Sequence, residues 1–175
     1  MSTVVKWGLI TGMIYIAQSL VSNLLGIQQQ GMGSGIGVLM LILITGITFY
    51  TIFLAIKEQR DENQNGYLTT AEGFKMGLKI GFIAGLLAGL FTLIYMKFID
   101  PEMTNRMMEA AEEQWDKQGM DDDQREMARK WGGMFMSPLL LAAIAVIWTS
   151  VMGMLKGVIA GSILKKDPPP VVPMA

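Results

Sequence analysis

Four stretches of this chain run without a single charged side chain: Trp7–Ile27, Ile36–Ile56, Ile80–Met96 and Trp131–Leu155. A bilayer core about 30 Å thick takes roughly 20 apolar residues of α-helix. Backbone groups in lipid must also find their hydrogen bonds within their own segment. A chain with four such stretches is therefore constrained to an all-α fold, an integral membrane four-helix bundle. The spans fall at about 7–27, 36–56, 75–97 and 138–160, within one membrane domain covering 1–175. Lys79 and Lys97 flank the third stretch, with stems long enough to carry their charges to either interface. Ser137-Pro138 reads as an N-cap followed by proline at the first helical position. The fourth helix is thus expected to start at Pro138 and run to about Leu164. The first stretch exceeds the apolar core of a signal peptide, about 7–15 residues, and no A-x-A-like site follows it, so it reads as a retained anchor.

Composition narrows the function. Only 17% of residues are charged, against about 25% in a soluble domain. The chain has no Cys and no His, which removes disulfides, thiolate and imidazole metal sites and Ser-His-Asp triads. A net charge of -1 leaves no basic footprint for nucleic acid. No paired carboxylates, phosphate-cradling loop or activated nucleophile can be assembled. The residues point to no enzyme and require no cofactor.

Lys and Arg set the orientation. One side receives Lys6, Lys57, Arg60, Lys75, Lys79, Lys156, Lys165 and Lys166. The other receives Lys97, Arg106, Lys117, Arg125, Arg129 and Lys130, diluted by ten of the 15 carboxylates. Both termini are therefore expected in the cytoplasm. Lys156 lies near the end of the fourth span and is read as snorkelling to the interface.

Between the third and fourth spans, an amphipathic helical hairpin is expected over 101–131, outside the cytoplasm. Asp100-Pro101-Glu102 supplies an N-cap, a proline and an acid for its first helix. Met103, Met107, Ala111 and Trp115 then recur every four residues on one face. Gly119 breaks that helix, and Asp121-x-x-Gln124 starts a second with Met127 and Trp131 on one face. These faces could pack on each other, lie on the membrane or dock a partner protein. Met103, Met107, Met108, Met127, Met134 and Met136 also raise Cu(I), which takes soft thioether ligands, although Met is a common filler of apolar faces. The Pro-rich tail 167–175 reads as a stiff, disordered end.

Gly73, Gly77, Gly81, Gly85 and Gly89 recur every four residues along the third helix, and Gly153, Gly157 and Gly161 along the fourth. Gly8 and Gly12 repeat the device in the first. Glycines four apart share a face and admit a second backbone at close range. That backbone could belong to the same chain, a second copy or another membrane protein. The first three stretches contain no ionisable group, whereas transporters usually place some there. The buried polar set is Gln18, Ser22, Asn23, Thr45 and Thr48; Gln18 and Ser22 could bond a neighbouring helix.

Asp61-Glu62-Asn63-Gln64-Asn65-Gly66-Tyr67-Leu68-Thr69-Thr70-Ala71-Glu72 matches a twelve-residue EF-hand loop. A Ca²⁺ site there would draw oxygens from Asp61, Asn63, Asn65, Tyr67, Thr69 and Glu72. The competing reading is an Asn65-Gly66 turn followed by a Thr69/Glu72 capping box.

Ile56-Lys57-Glu58-Gln59-Arg60-Asp61, Gly66-Tyr67-Leu68-Thr69, Gly73-Phe74-Lys75, Lys97-Phe98-Ile99-Asp100-Pro101 and Ile163-Leu164-Lys165-Lys166 occur here in order. In these pieces and their spacing the chain resembles the bacterial membrane proteins of domain of unknown function 4199 (DUF4199). The resemblance implies four spans in the bacterial inner membrane and carries over no catalytic residue or cofactor. Gene-order neighbours of such proteins, polyprenyl-phosphate sugar transferases, imply a role near lipid-linked sugar chemistry. The expected function is a non-enzymatic accessory or scaffold protein that contacts membrane lipids and a membrane-protein partner or a second copy. The alternative is a small transporter or lipid-handling protein using the Gln18/Asn23 region.

Overall fold

The computed structural model describes residues 1–26 and 35–167. Most of the 28–35 connection and the Pro-rich tail from 168 lie outside the described residues. Among the described residues the fold is all-α, with six α-helices: α1 Thr3–Leu24, α2 Gly35–Glu58, α3 Thr70–Ile94, α4 Met103–Lys117, α5 Asp122–Phe135 and α6 Pro138–Leu164. π-helical turns extend α2 over Gln59–Asn63 and α3 over Tyr95–Ile99. With these extensions α2 and α3 join α1 and α6 as four helices long and apolar enough to cross a membrane.

Local chemistry fixes most helix starts. The Ser2 side chain accepts from Val5 N–H, Ser137 from Leu140 N–H ahead of Pro138, and Asp121 from Gln124 N–H. At α3 the capping box is complete: Thr69 accepts from Glu72 N–H, and the Glu72 carboxylate accepts from Thr69 N–H. This cap begins the helix at Thr70, five residues before the expected span. Asp100 departs from expectation. It caps no helix with its side chain but pairs with Arg106 in the first turn of α4. Glu102 stands at the cap position without a capping bond.

The four long helices close into a ring. α3 packs on α6 and α1, and α2 packs on α6 and α1. α3 meets α6 and α1 where glycines line the contact. A Cβ added at Gly77 would stand 2.6 Å from Gly157 Cα, and one at Gly153 would stand 2.8 Å from Gly81 Cα. The pattern continues from Gly73 against Gly161 to Gly89 against Ala142, so α3 and α6 run antiparallel with backbones in contact. Gly8 and Gly12 of α1 instead make room for the side chains of Ile83 and Leu87 of α3.

The main core sits at the end of the bundle where the connection 64–69 lies, the loop end. Ile52, Ala55 and Ile56 of α2 meet Met76 and Ile80 of α3 and Ala160 and Leu164 of α6. Leu68 is drawn into this cluster, 1% exposed, by a bridge in which Leu68 and Lys166 exchange N–H···O bonds of 3.0 and 2.9 Å. At the other end, the hairpin end, α2 turns Ile36, Leu39, Ile42 and Leu43 outward. Such a surface suits acyl chains rather than water.

Candidate functional site

α1 and α2 are joined by a polar seam, one contact per turn or so. At the loop end, Lys6 Nζ and Trp7 Nε1 both donate to Glu58 Oε2, at 2.6 and 2.9 Å. Next, the hydroxyls of Thr11 and Thr51 lie 3.2 Å apart, each also bonding backbone carbonyl on its own helix. One turn further, the Tyr15 side chain hydrogen-bonds with that of Thr48. The residues Trp7, Thr11 and Tyr15 recur every four positions, and this periodicity was the available signal for the seam.

Lys156 of α6 completes the seam. Its Nζ donates to Thr48 Oγ1, and the residue is only 9% exposed. This corrects the snorkelling expectation. Lys156 lies eight residues before Leu164, roughly 12 Å of helix, and its side chain turns into the bundle. The reason is the α3–α6 packing: Gly153 and Gly157 press one face of α6 onto α3, which leaves Lys156 facing α2. Among the described residues no carboxylate pairs with it; the ion pairs there engage other cations. A buried ammonium sharing only hydroxyl oxygen is costly, and ionisable groups at such positions commonly mark function.

The other sequence-derived positions are distributed as follows. Gln18 donates to Ser22 Oγ at 3.3 Å, and Asn23 donates to the Ser19 carbonyl at 2.9 Å. Both bonds stay within α1, so among the described residues Gln18 and Asn23 are not joined to a second helix. In the EF-hand-like loop, Asn65 (φ 51°) and Gly66 (φ 84°) form the left-handed turn. Asp61 pairs with Arg60 at 2.7 Å. Asn63 donates weakly to Thr3 and Gln59. Glu72 accepts from Gln64 on one oxygen and from Thr69 on the other. The two candidate carboxylate ligands, Asp61 and Glu72, thus hold separate partners, and among the described residues no three acidic side chains gather as a metal cluster.

The hairpin is held by Arg125–Asp116 and by Arg129–Glu112, the latter at 2.7 Å. Met108 and Trp115 of α4 lie against Gly132. Met127, Trp131, Met134 and Phe135, by contrast, stay half or more open: they are 64%, 54%, 50% and 51% exposed. The methionines are divided between these faces, with Met108 turned toward α5 and Met127 and Met134 turned away. The exposed row ends three residues before Pro138, where α6 begins.

The family model described as "Protein of unknown function (DUF4199)" matches residues 6–166. The chain belongs to that family. The match covers the four spans, the capping-box loop and the hairpin together, so these features belong to one family unit. No curated protein and no solved structure matches the chain.

Proposed function

We propose that this DUF4199 protein is a non-enzymatic accessory subunit of the bacterial inner membrane, with both termini in the cytoplasm. Its working surface is the hairpin, and its partner is another membrane protein. The observation that carries this reading is the row Met127, Trp131, Met134 and Phe135, left exposed on a hairpin whose other contacts are satisfied. Large apolar and aromatic side chains in one row are the usual anchors of a contact surface. The glycine faces of α3 and α6 support the same view, since they are occupied within the chain and leave the hairpin as the elaborated surface. A role near lipid-linked sugar chemistry, handled by other membrane enzymes, fits such an accessory.

A second reading is favoured by Lys156, whose buried amine is of the kind found on transport pathways. Reconstitution separates the two. Proteoliposomes holding the protein alone should retain ions, sugars and phospholipid probes as well as empty liposomes do. Flux above that background, abolished by Lys156→Met, would replace the accessory reading with a transporter.

A further inference from the structure

We propose that the groove between α1 and α3 near the loop end binds an anionic phospholipid, with one acyl chain in the groove and the headgroup phosphate against Lys79 and Lys75. The groove has a volume of about 420 Å³ and is lined by Val4, Leu78, Lys79, Phe82, Ile83 and Ser150. That volume lies within the range of small-molecule sites, about 300–1,000 Å³. Ser150 donates its hydroxyl to the Val146 carbonyl at 2.6 Å, so the lining offers a chain almost nothing but hydrocarbon. Leu78 and Phe82 are open on the outer surface of the span, where acyl chains rather than water are the neighbours.

Lys79 is the one cation of that lining. Lys75 precedes it by four residues and therefore shares its face of α3. Neither lysine takes part in an ion pair among the described residues. Glu72, one turn before Lys75, feels that lysine's charge but takes its hydrogen bonds from Thr69 of the capping box and from Gln64. Lys79 lies nine residues past Thr70, roughly 13 Å along the helix. Its stem can lie along the apolar surface and lift the ammonium toward headgroup level, where Lys75 also stands. Two compact positive charges above an apolar slot match a phosphate above a chain. A zwitterionic headgroup presents the same phosphate but cancels it with its own cation.

The test uses the full chain in neutral detergent, with phosphatidylglycerol or phosphatidylcholine of identical chains added, and reads the unfolding temperature. Phosphatidylglycerol should raise it, and phosphatidylcholine should raise it less. Lys79→Gln should shift the half-maximal phosphatidylglycerol concentration up about fivefold, the weight of one lysine at a membrane surface. Lys97→Gln, at the hairpin end, should leave it unchanged. Leu78→Trp, which fills the groove from its exposed side, should weaken the response while keeping the lipid-free unfolding temperature. Inorganic phosphate should give no shift. Equal responses to both lipids, an unaltered response in Lys79→Gln or in Leu78→Trp, or a full response to inorganic phosphate would each overturn the site.

Discussion

Replacing Gly77 by Ala puts the α3–α6 contact to a quantitative test. The added Cβ would stand 2.6 Å from Gly157 Cα and 3.0 Å from Gly157 N. Both are backbone atoms, so no side chain can rotate away to make room. Ordinary contact begins at 3.4 Å, and the two helices must therefore part by roughly 1 Å. A gap of that size forfeits up to about half of the dispersion energy of every contact it separates. Overpacking of this kind costs about 1–3 kcal/mol, offset by up to about 1 kcal/mol because Ala favours helix over Gly. With that offset the net loss is up to about 2 kcal/mol, which for a chain of this size lowers the unfolding temperature by up to about 8 °C. Gly46 of α2 is the control, since a Cβ there meets nothing within 4 Å. Gly46→Ala should leave the unfolding temperature level or raise it. Thermal unfolding in detergent, followed by circular dichroism, compares the two. If Gly77→Ala unfolds at or above the temperature of Gly46→Ala, the backbone contact does not carry stability and the reasoning fails.

The buried lysine, the loop and the topology give three further tests. Thr48→Val removes the hydroxyl that receives Lys156 and should destabilise by about 1–3 kcal/mol, whereas Lys156→Met should be neutral or stabilising; the reverse order in detergent unfolding would contradict the buried contact. Glu72→Ala should cost about 0.5–2 kcal/mol through loss of the cap, and millimolar Ca²⁺ should leave the wild-type unfolding temperature unchanged; a Ca²⁺ shift abolished in Glu72→Gln would restore the EF-hand reading. A cysteine at Lys117 should react with a membrane-impermeant thiol reagent added outside the cytoplasmic membrane, and one at Gln64 should not; the opposite labelling would invert the orientation.

Much of the fold was legible because its signals are local. The uncharged stretches mark α1, α2, α3 and α6, while Ser137-Pro138, Thr69-x-x-Glu72 and Asp121-x-x-Gln124 mark helix starts through bonds spanning three residues. What was not legible depends on which face meets which neighbour. The glycine spacing shows a face that admits a backbone, but only the fold places Gly77 against Gly157. Lys156 reads as a snorkelling end residue until the close packing of α6 on α3 turns it toward Thr48. Asp100 looks like a cap because the acid-proline pair fits one, yet Arg106 competes for its carboxylate and wins. The row from Met127 to Phe135 fits a face packed on α4 as well as it fits an exposed one. Two ion pairs and the small Gly132 fix how α5 sits, and the row is left outward.

The accessory role is tested most directly by replacing Trp131 with a photo-crosslinking amino acid and irradiating intact membranes that contain the protein at its native level. The exposed hairpin row predicts one discrete adduct with a second membrane protein, formed from position 131 and not from Lys117 on the charged surface of α4. Adducts with lipid alone from position 131, or the same adducts from both positions, would contradict it.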